Sequence, residues 1–155
     1  MTKDVALIVG GGPGISASCA RLFAKSGMQV AIAARTPDKP VLQNLERMHG
    51  VRRYACDASE PAAVELLFQN VVRDLGAPRL VVHNIDGRVA GIFRKGITEA
   101  DASMALETLR NSAFSAFLVG QQAARLMREN EPSANGARGT IIFTNASAAL
   151  KGFAT

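Results

Sequence analysis

Apolar positions along the chain follow two alternating rhythms. Short runs at Val5–Val9, Gln29–Ala34, Val51–Cys56, Arg79–His83 and Thr140–Thr144 are rich in Val, Ile and Ala and read as strands. Between them, apolar residues recur at three- and four-residue spacing, the period of a helix face. One such face carries Ile15, Cys19, Leu22 and Phe23. A second carries Val41, Leu42, Leu45 and Met48, and a third Val64, Leu67, Phe68, Val71 and Leu75. The fourth is long: Leu106, Leu109, Ala113, Phe117, Gly120, Ala124 and Met127 form a stripe, with Phe114 and Leu118 on another face. Proline and glycine punctuate the pattern. Pro40 and Pro61 open helices, while Gly50, Gly76 and Pro78 close them. Thr98-Glu99-Ala100-Asp101 opens the long helix, which is expected to run to about Arg128. Ile85–Ile97 and Glu129–Arg138 read as loops.

Strands alternating with helices predict an α/β fold with a parallel sheet. The first strand runs directly into Gly10, Gly11, Gly12, Pro13 and Gly14, and these run directly into the first helix. Strand, glycine turn and helix together begin a dinucleotide-binding unit. A pyrophosphate needs N–H donors at close range, and a helix start offers unpaired N–H groups and a positive dipole end. Gly10 permits the tight turn, and Gly14, lacking Cβ, leaves room for phosphates.

Composition narrows the class. The 155 residues suffice for one core, and 48% hydrophobic content argues against disorder. No apolar run reaches the roughly 20 residues that span a bilayer, so no membrane role is expected. Lys3 and Asp4 lead straight into the first strand, so no secretory signal is expected. Cys19 and Cys56 read as reduced core residues of a cytoplasmic protein. The net charge of +5 suits a phosphorylated ligand. It comes without basic runs or base-stacking aromatics, so no nucleic-acid partner is expected. No metal site is expected either.

The spacing Gly10, Gly14, Ile15, Ser16 resembles the TGxxxGIG loop of the short-chain dehydrogenase/reductase family, with Val9 in place of Thr and Ser16 in place of the last Gly. The loop also resembles the GGGPxG turn of FAD-dependent reductases. Here that turn lacks its final Gly and the acidic residue at the end of the second strand. The dehydrogenase resemblance implies a Rossmann-like doubly wound sheet of five strands in the order 3-2-1-4-5. Residues 1–155 would form a single dinucleotide-binding domain, incomplete relative to the family. Gly10, Gly12, Pro13, Gly14, Ile15 and Ser16 would cradle the cofactor phosphates. Ala34 stands where an acidic residue would select NAD, and Arg35 follows, able to pair with a 2′-phosphate. NADP(H) is therefore expected over NAD(H), with Thr36 as a weaker contributor. Asp57 and Ala58 in the CDAS string correspond to the family's adenine-edge contact; Asp57 or Ser59 could equally cap the following helix.

Asn84 matches one residue of the family's Asn-Asn-Ala-Gly run and is expected to brace the strand ends, while His83 reads as a core histidine. Asp86 should turn away from any phosphate. Aligning on Phe117–Gln121 puts Ser112, not Asn111, at the family's structural-catalytic Asn. Ser147 is the hydroxyl nearest the family's substrate-binding serine. The family's Tyr-x-x-x-Lys pair, with Tyr as general acid, is absent from residues 1–155: Tyr54 is the only tyrosine, and Ala58 stands four residues on. Three functions follow. The first is an NADP-dependent oxidoreductase acting on a small carbonyl or alcohol, catalytically incomplete as given. The second is a non-catalytic nucleotide-binding module, and the third is an interaction protein with a degenerate loop. The resemblance also implies a homo-oligomer through the 99–128 helix. The fifth strand would be an open sheet edge.

Overall fold

The computed structural model describes residues 3–92 and 96–150, apart from the side chains of Ile97 and Ala148. Residues 93–95 of the expected loop lie outside the described residues. Five strands, β1 (Val5–Val9), β2 (Gln29–Ala34), β3 (Arg52–Ala55), β4 (Pro78–His83) and β5 (Thr140–Phe143), pair in the order β3-β2-β1-β4-β5. All four pairings are parallel. Helices α1 (Ile15–Lys25), α2 (Pro40–His49), α3 (Pro61–Leu75), α4 (Ala102–Leu109) and α5 (Ser115–Met127) make the crossovers and cover both faces. The expected doubly wound architecture is therefore present.

β1 is central and buried on both faces, which is why it reads as an unbroken apolar run. Val5, Leu7 and Val9 point into a layer shared with α3 and α5, and Ala6 and Ile8 into a layer shared with α1 and α2. Leu7, Ile8 and Ile32 are wholly buried; burying such a side chain is worth about 1.5–3 kcal/mol. On α3, Val64, Leu67, Phe68 and Val71 are buried as the spacing predicts. Pro40 and Pro61 each sit in the first turn of their helix.

Three helix faces differ from expectation. α1 buries Ser16, Ala17 and Ala20, while Ile15 and Leu22 are 57% and 59% exposed. Small side chains let this helix lie close to the sheet, so size misleads a count of large apolar residues. On α2, Leu42 and Leu45 are buried, but Met48 is 65% exposed. The long helix starts at Ala102, because the Asp101 side chain accepts from the Ser103 and Met104 amides and caps it. It then passes through a π-helical stretch, Arg110–Phe114, before α5. One extra residue per turn rotates everything beyond it by about 100°. The buried stripe becomes Ser115, Leu118, Val119, Ala123 and Met127. Of the predicted stripe, Leu106, Leu109 and Phe117 face outward instead.

Candidate functional site

The glycine loop turns sharply off β1. Gly10 and Gly11 both donate to the Ala33 carbonyl, at 2.9 and 2.8 Å. Gly10 has φ +106°, and a Cβ there would lie 2.0 Å from the Asn84 carbonyl oxygen. Only glycine can occupy this position. The Ser16 hydroxyl donates to the Gly10 carbonyl at 2.6 Å. Asn84 donates its amide to that hydroxyl at 2.7 Å, and Thr144 donates to the Asn84 side-chain carbonyl at 2.8 Å. The Asn84 N–H meets the Val9 carbonyl at 2.8 Å. Asn84 thus ties the ends of β1, β4 and β5 to the loop. Ser16, which departs from the family's glycine, is a buried member of this network.

The start of α1 is left open. Gly14 makes no side-chain cap, the first turn carries no acidic residue, and the first backbone bond to the N-cap is Ser18 N–H to the Gly14 carbonyl. The amides of Ile15, Ser16 and Ala17 precede the helical ladder, at the positive end of the dipole. A Cβ on Gly12 or Gly14 would meet nothing within 4 Å.

A cleft of about 530 Å³ opens at the carboxyl ends of β1 to β4. Gly10, Arg35, Asp57, Ala58 and Asn84 line it. Pro13, Gly14 and Ile15 are exposed and Gly12 half-buried at the loop, outside that lining, and Ser16 lies behind it. Ser147 is exposed, in a short 3-10 turn (Ser147–Ala149), and does not line the cleft.

Two cations stand at the end of β2. Arg35 lines the cleft, and Lys39, which the periodicity reading passed over, reaches the Gly11 carbonyl at 3.3 Å. Its position at the start of α2, four residues beyond Arg35, was the available signal. Asp57 accepts from the Ser59 amide at 3.0 Å and hydroxyl at 2.8 Å, which closes a turn ahead of α3; the anticipated helix cap is not made, because the N-cap position is Glu60 and carries no side-chain cap bond. Burial works against its charge. The two Ser59 bonds and the fields of Arg35 and Arg110 outweigh burial and hold the carboxyl below its ordinary range. Asp86 lines the cleft but is turned onto Arg88, whose Nε lies 2.7 Å from Oδ1. That guanidinium holds the Asp86 carboxyl low and offsets its charge. Burial, with a smaller push from Asp57, raises the Cys56 thiol to about 11, so it is no nucleophile at neutral pH.

In the long helix the cleft-facing residue differs from the one the alignment put at the family's Asn. Asn111, not Ser112, lines the cleft, while the Ser112 hydroxyl turns back to the Thr108 carbonyl at 2.6 Å. The π-helical stretch sets which residue faces inward, and a count at 3.6 residues per turn misses it. His83 is a core residue as expected, 4% exposed, and its partner is Ser115 Oγ, 2.8 Å from Nε2. Among the described residues, no group of three or more His, Cys, Asp or Glu could hold a metal, and no helix is long and apolar enough to cross a membrane.

A family model described as enoyl-(acyl carrier protein) reductase matches residues 10–155. Uncharacterized oxidoreductases of Mycobacterium bovis and Mycobacterium tuberculosis are 33% identical over 91 residues, covering 52% of this chain and 25% of each relative. The chain thus spans about a quarter of the length of these curated relatives. A short-chain type dehydrogenase/reductase of Mycobacterium marinum superposes with TM-score 0.83 at 24% identity, over 97% of this chain and 58% of that one. A short chain dehydrogenase of Burkholderia cenocepacia in complex with NADP gives 0.80 at 22% identity, with the same coverages. A short-chain dehydrogenase/reductase of Serratia marcescens gives 0.74 at 26% identity, again over 97% and 58%.

Proposed function

This chain belongs to the short-chain dehydrogenase/reductase family, and we propose on that premise that its cleft binds NADP(H) for hydride transfer between the nicotinamide and a small carbonyl or alcohol. One observation carries the reading. An uncapped helix N-terminus behind a glycine turn opens beside a cleft whose β2 end bears Arg35 and Lys39, with Ala34 at the last position of the strand. In the proposed pose the backbone amides of Gly12, Gly14, Ile15 and Ser16 receive the pyrophosphate, and Arg35, with Lys39 and Thr36, receives the 2′-phosphate. The cofactor would supply the hydride. Asp57 and Ala58 flank the adenine end, and Asn84 holds the floor. The NADP complex of the Burkholderia cenocepacia enzyme, which has the same fold, supports this choice.

Residues 1–155 are proposed to bind without turning over. Tyr54, the only tyrosine, donates to Asp74 at 3.1 Å on the β3 side, away from the cleft. That observation favours the alternative reading of a nucleotide-binding module for these residues taken alone. Ser147 is proposed to meet the substrate carbonyl. The exposed Leu106, Leu109, Phe114 and Phe117 support self-association through the long helix.

Titration of the purified chain with NADPH and NADH tests the reading. Arg35→Glu should weaken NADPH about tenfold or more, the size of a lost charge-assisted contact, and NADH much less. Equal losses would remove the 2′-phosphate role. Reduction of any of a panel of carbonyls by residues 1–155 would overturn binding without turnover.

A further inference from the structure

The π-helical stretch Arg110–Phe114 has to be held open, and one buried pair lies where it could do so. At a π turn the backbone ladder skips a register, so carbonyls are left without their usual i+4 partner. The Ser115 amide reaches back to the Arg110 carbonyl, the π register. The Ser115 side chain is wholly buried, and its hydroxyl lies 2.8 Å from the Asn111 carbonyl and 2.9 Å from that of Ser112. Carbonyls only accept, so the single hydroxyl proton serves these two oxygens. His83 Nε2, 2.8 Å from the same hydroxyl oxygen, must then be the donor. The imidazole is thereby fixed as the Nε2–H form. Burial also favours its neutral state. From β5, the Phe143 ring leans on it with centroids 6.1 Å apart. Gly87 also presses against the backbone of the turn: a Cβ there would fall 2.6 Å from the Ser112 nitrogen. Asn111, inside this clamped turn, lines both the cleft and the adjoining groove of about 390 Å³.

We propose that His83 is a positioning residue: by donating to Ser115 it holds the π turn and keeps Asn111 at the cleft. The clamp itself stands on geometry alone; only its effect on ligand affinity rests on the NADP(H) reading. Amide hydrogen exchange of the whole chain, without ligand, tests the clamp first. Ser115→Ala and His83→Phe should each speed exchange of amides 110–116 about tenfold, the scale of one buried hydrogen bond, while β1 amides keep their rates. The double variant should be no faster than Ser115→Ala alone, because without the hydroxyl His83 has nothing left to donate to. His83→Gln, which keeps an N–H donor, should restore slow exchange. Additive effects, unchanged exchange at 110–116, or failure of the Gln variant to rescue would each overturn the clamp. NADPH affinity then gives the second readout. Ser115→Ala and Asn111→Ala should lower it alike, yet Asn111→Ala should leave exchange at 110–116 slow. Loss of affinity in Asn111→Ala but not in Ser115→Ala would overturn the positioning role. Absence of NADPH binding by the unsubstituted chain would count against the cofactor reading alone.

Discussion

The two edges of the sheet are built on opposite principles. β3 presents Arg52, Arg53, Tyr54 and Ala55. Arg53 lies 2.8 Å from Asp38 and 2.7 Å from Glu46, and Arg52 and Tyr54 both meet Asp74. β5 presents Thr140, Ile141, Ile142 and Phe143, with Ile142 and Phe143 44% and 50% exposed. An apolar groove runs beside it between Phe117, Gly120, Ile141 and Phe143. Charge on an edge strand blocks pairing with another chain, and apolar residues invite it. The first edge is therefore finished against water, whereas the second leaves apolar side chains open to it. Both belong to one sheet, so the contrast comes from side chains and not from backbone topology.

The largest effect should come from putting the character of one edge onto the other. Ile142→Lys with Phe143→Lys should weaken the self-association proposed through the long helix, whose Phe117 shares the groove with Phe143, at least about tenfold, measured by sedimentation velocity across a concentration series. Tyr54→Lys at the opposite edge should leave it unchanged. Equal effects at both edges would erase the distinction. A smaller effect should appear on acidification, at different pH for the two sides. Burial lowers the folded pKa of His83, beside β5, from its ordinary 6.5. The unfolded chain then binds more protons than the folded one, so this stability is complete above pH 6.5 and is lost as pH falls below it. Arg73, then Tyr54 and Arg52, hold Asp74, beside β3, below its ordinary 3.8. That contribution is complete above 3.8 and is lost only as pH falls through the lower folded value. Melting temperatures between pH 7.5 and 5 should therefore fall through His83, and His83→Gln should flatten that range. An unchanged slope would assign the loss elsewhere. The smallest effect belongs to Glu46→Gln. Surface ion pairs contribute little and are screened, so its melting temperature should barely move at low salt and match the parent in 0.5 M salt.

The parts of the fold that local pattern controls were legible. Pro40, Pro61, Gly50 and Gly76 bounded helices because each acts on its own few backbone torsions. The parallel sheet followed from the alternation of strand and helix, and the order of its strands from the family resemblance of the glycine loop. What stayed hidden depends on distant partners. Ser16 and Asn84 are 68 residues apart, and His83 and Ser115 are 32 apart, so neither pair leaves a spacing to read. The inward face of α1 hid behind small residues, Ser16, Ala17 and Ala20. Asn111 hid behind a single extra residue in a helical turn. In the candidate site, the glycine loop and Arg35 announced themselves as motif positions, whereas Lys39 and Asn111 needed the fold to bring them to the cleft.

The chain of bonds from the Gly10 carbonyl through Ser16 and Asn84 to Thr144 bears on the order of assembly. Loop closure over such separations has to precede the contacts that reward it. A chain emerging from its amino terminus would make residues 10–16 early and hold them unshaped through four crossovers. Their geometry would be set only when β5 docked and Thr144 reached Asn84, so the phosphate cradle, first in the chain, would be among the last parts to take its form.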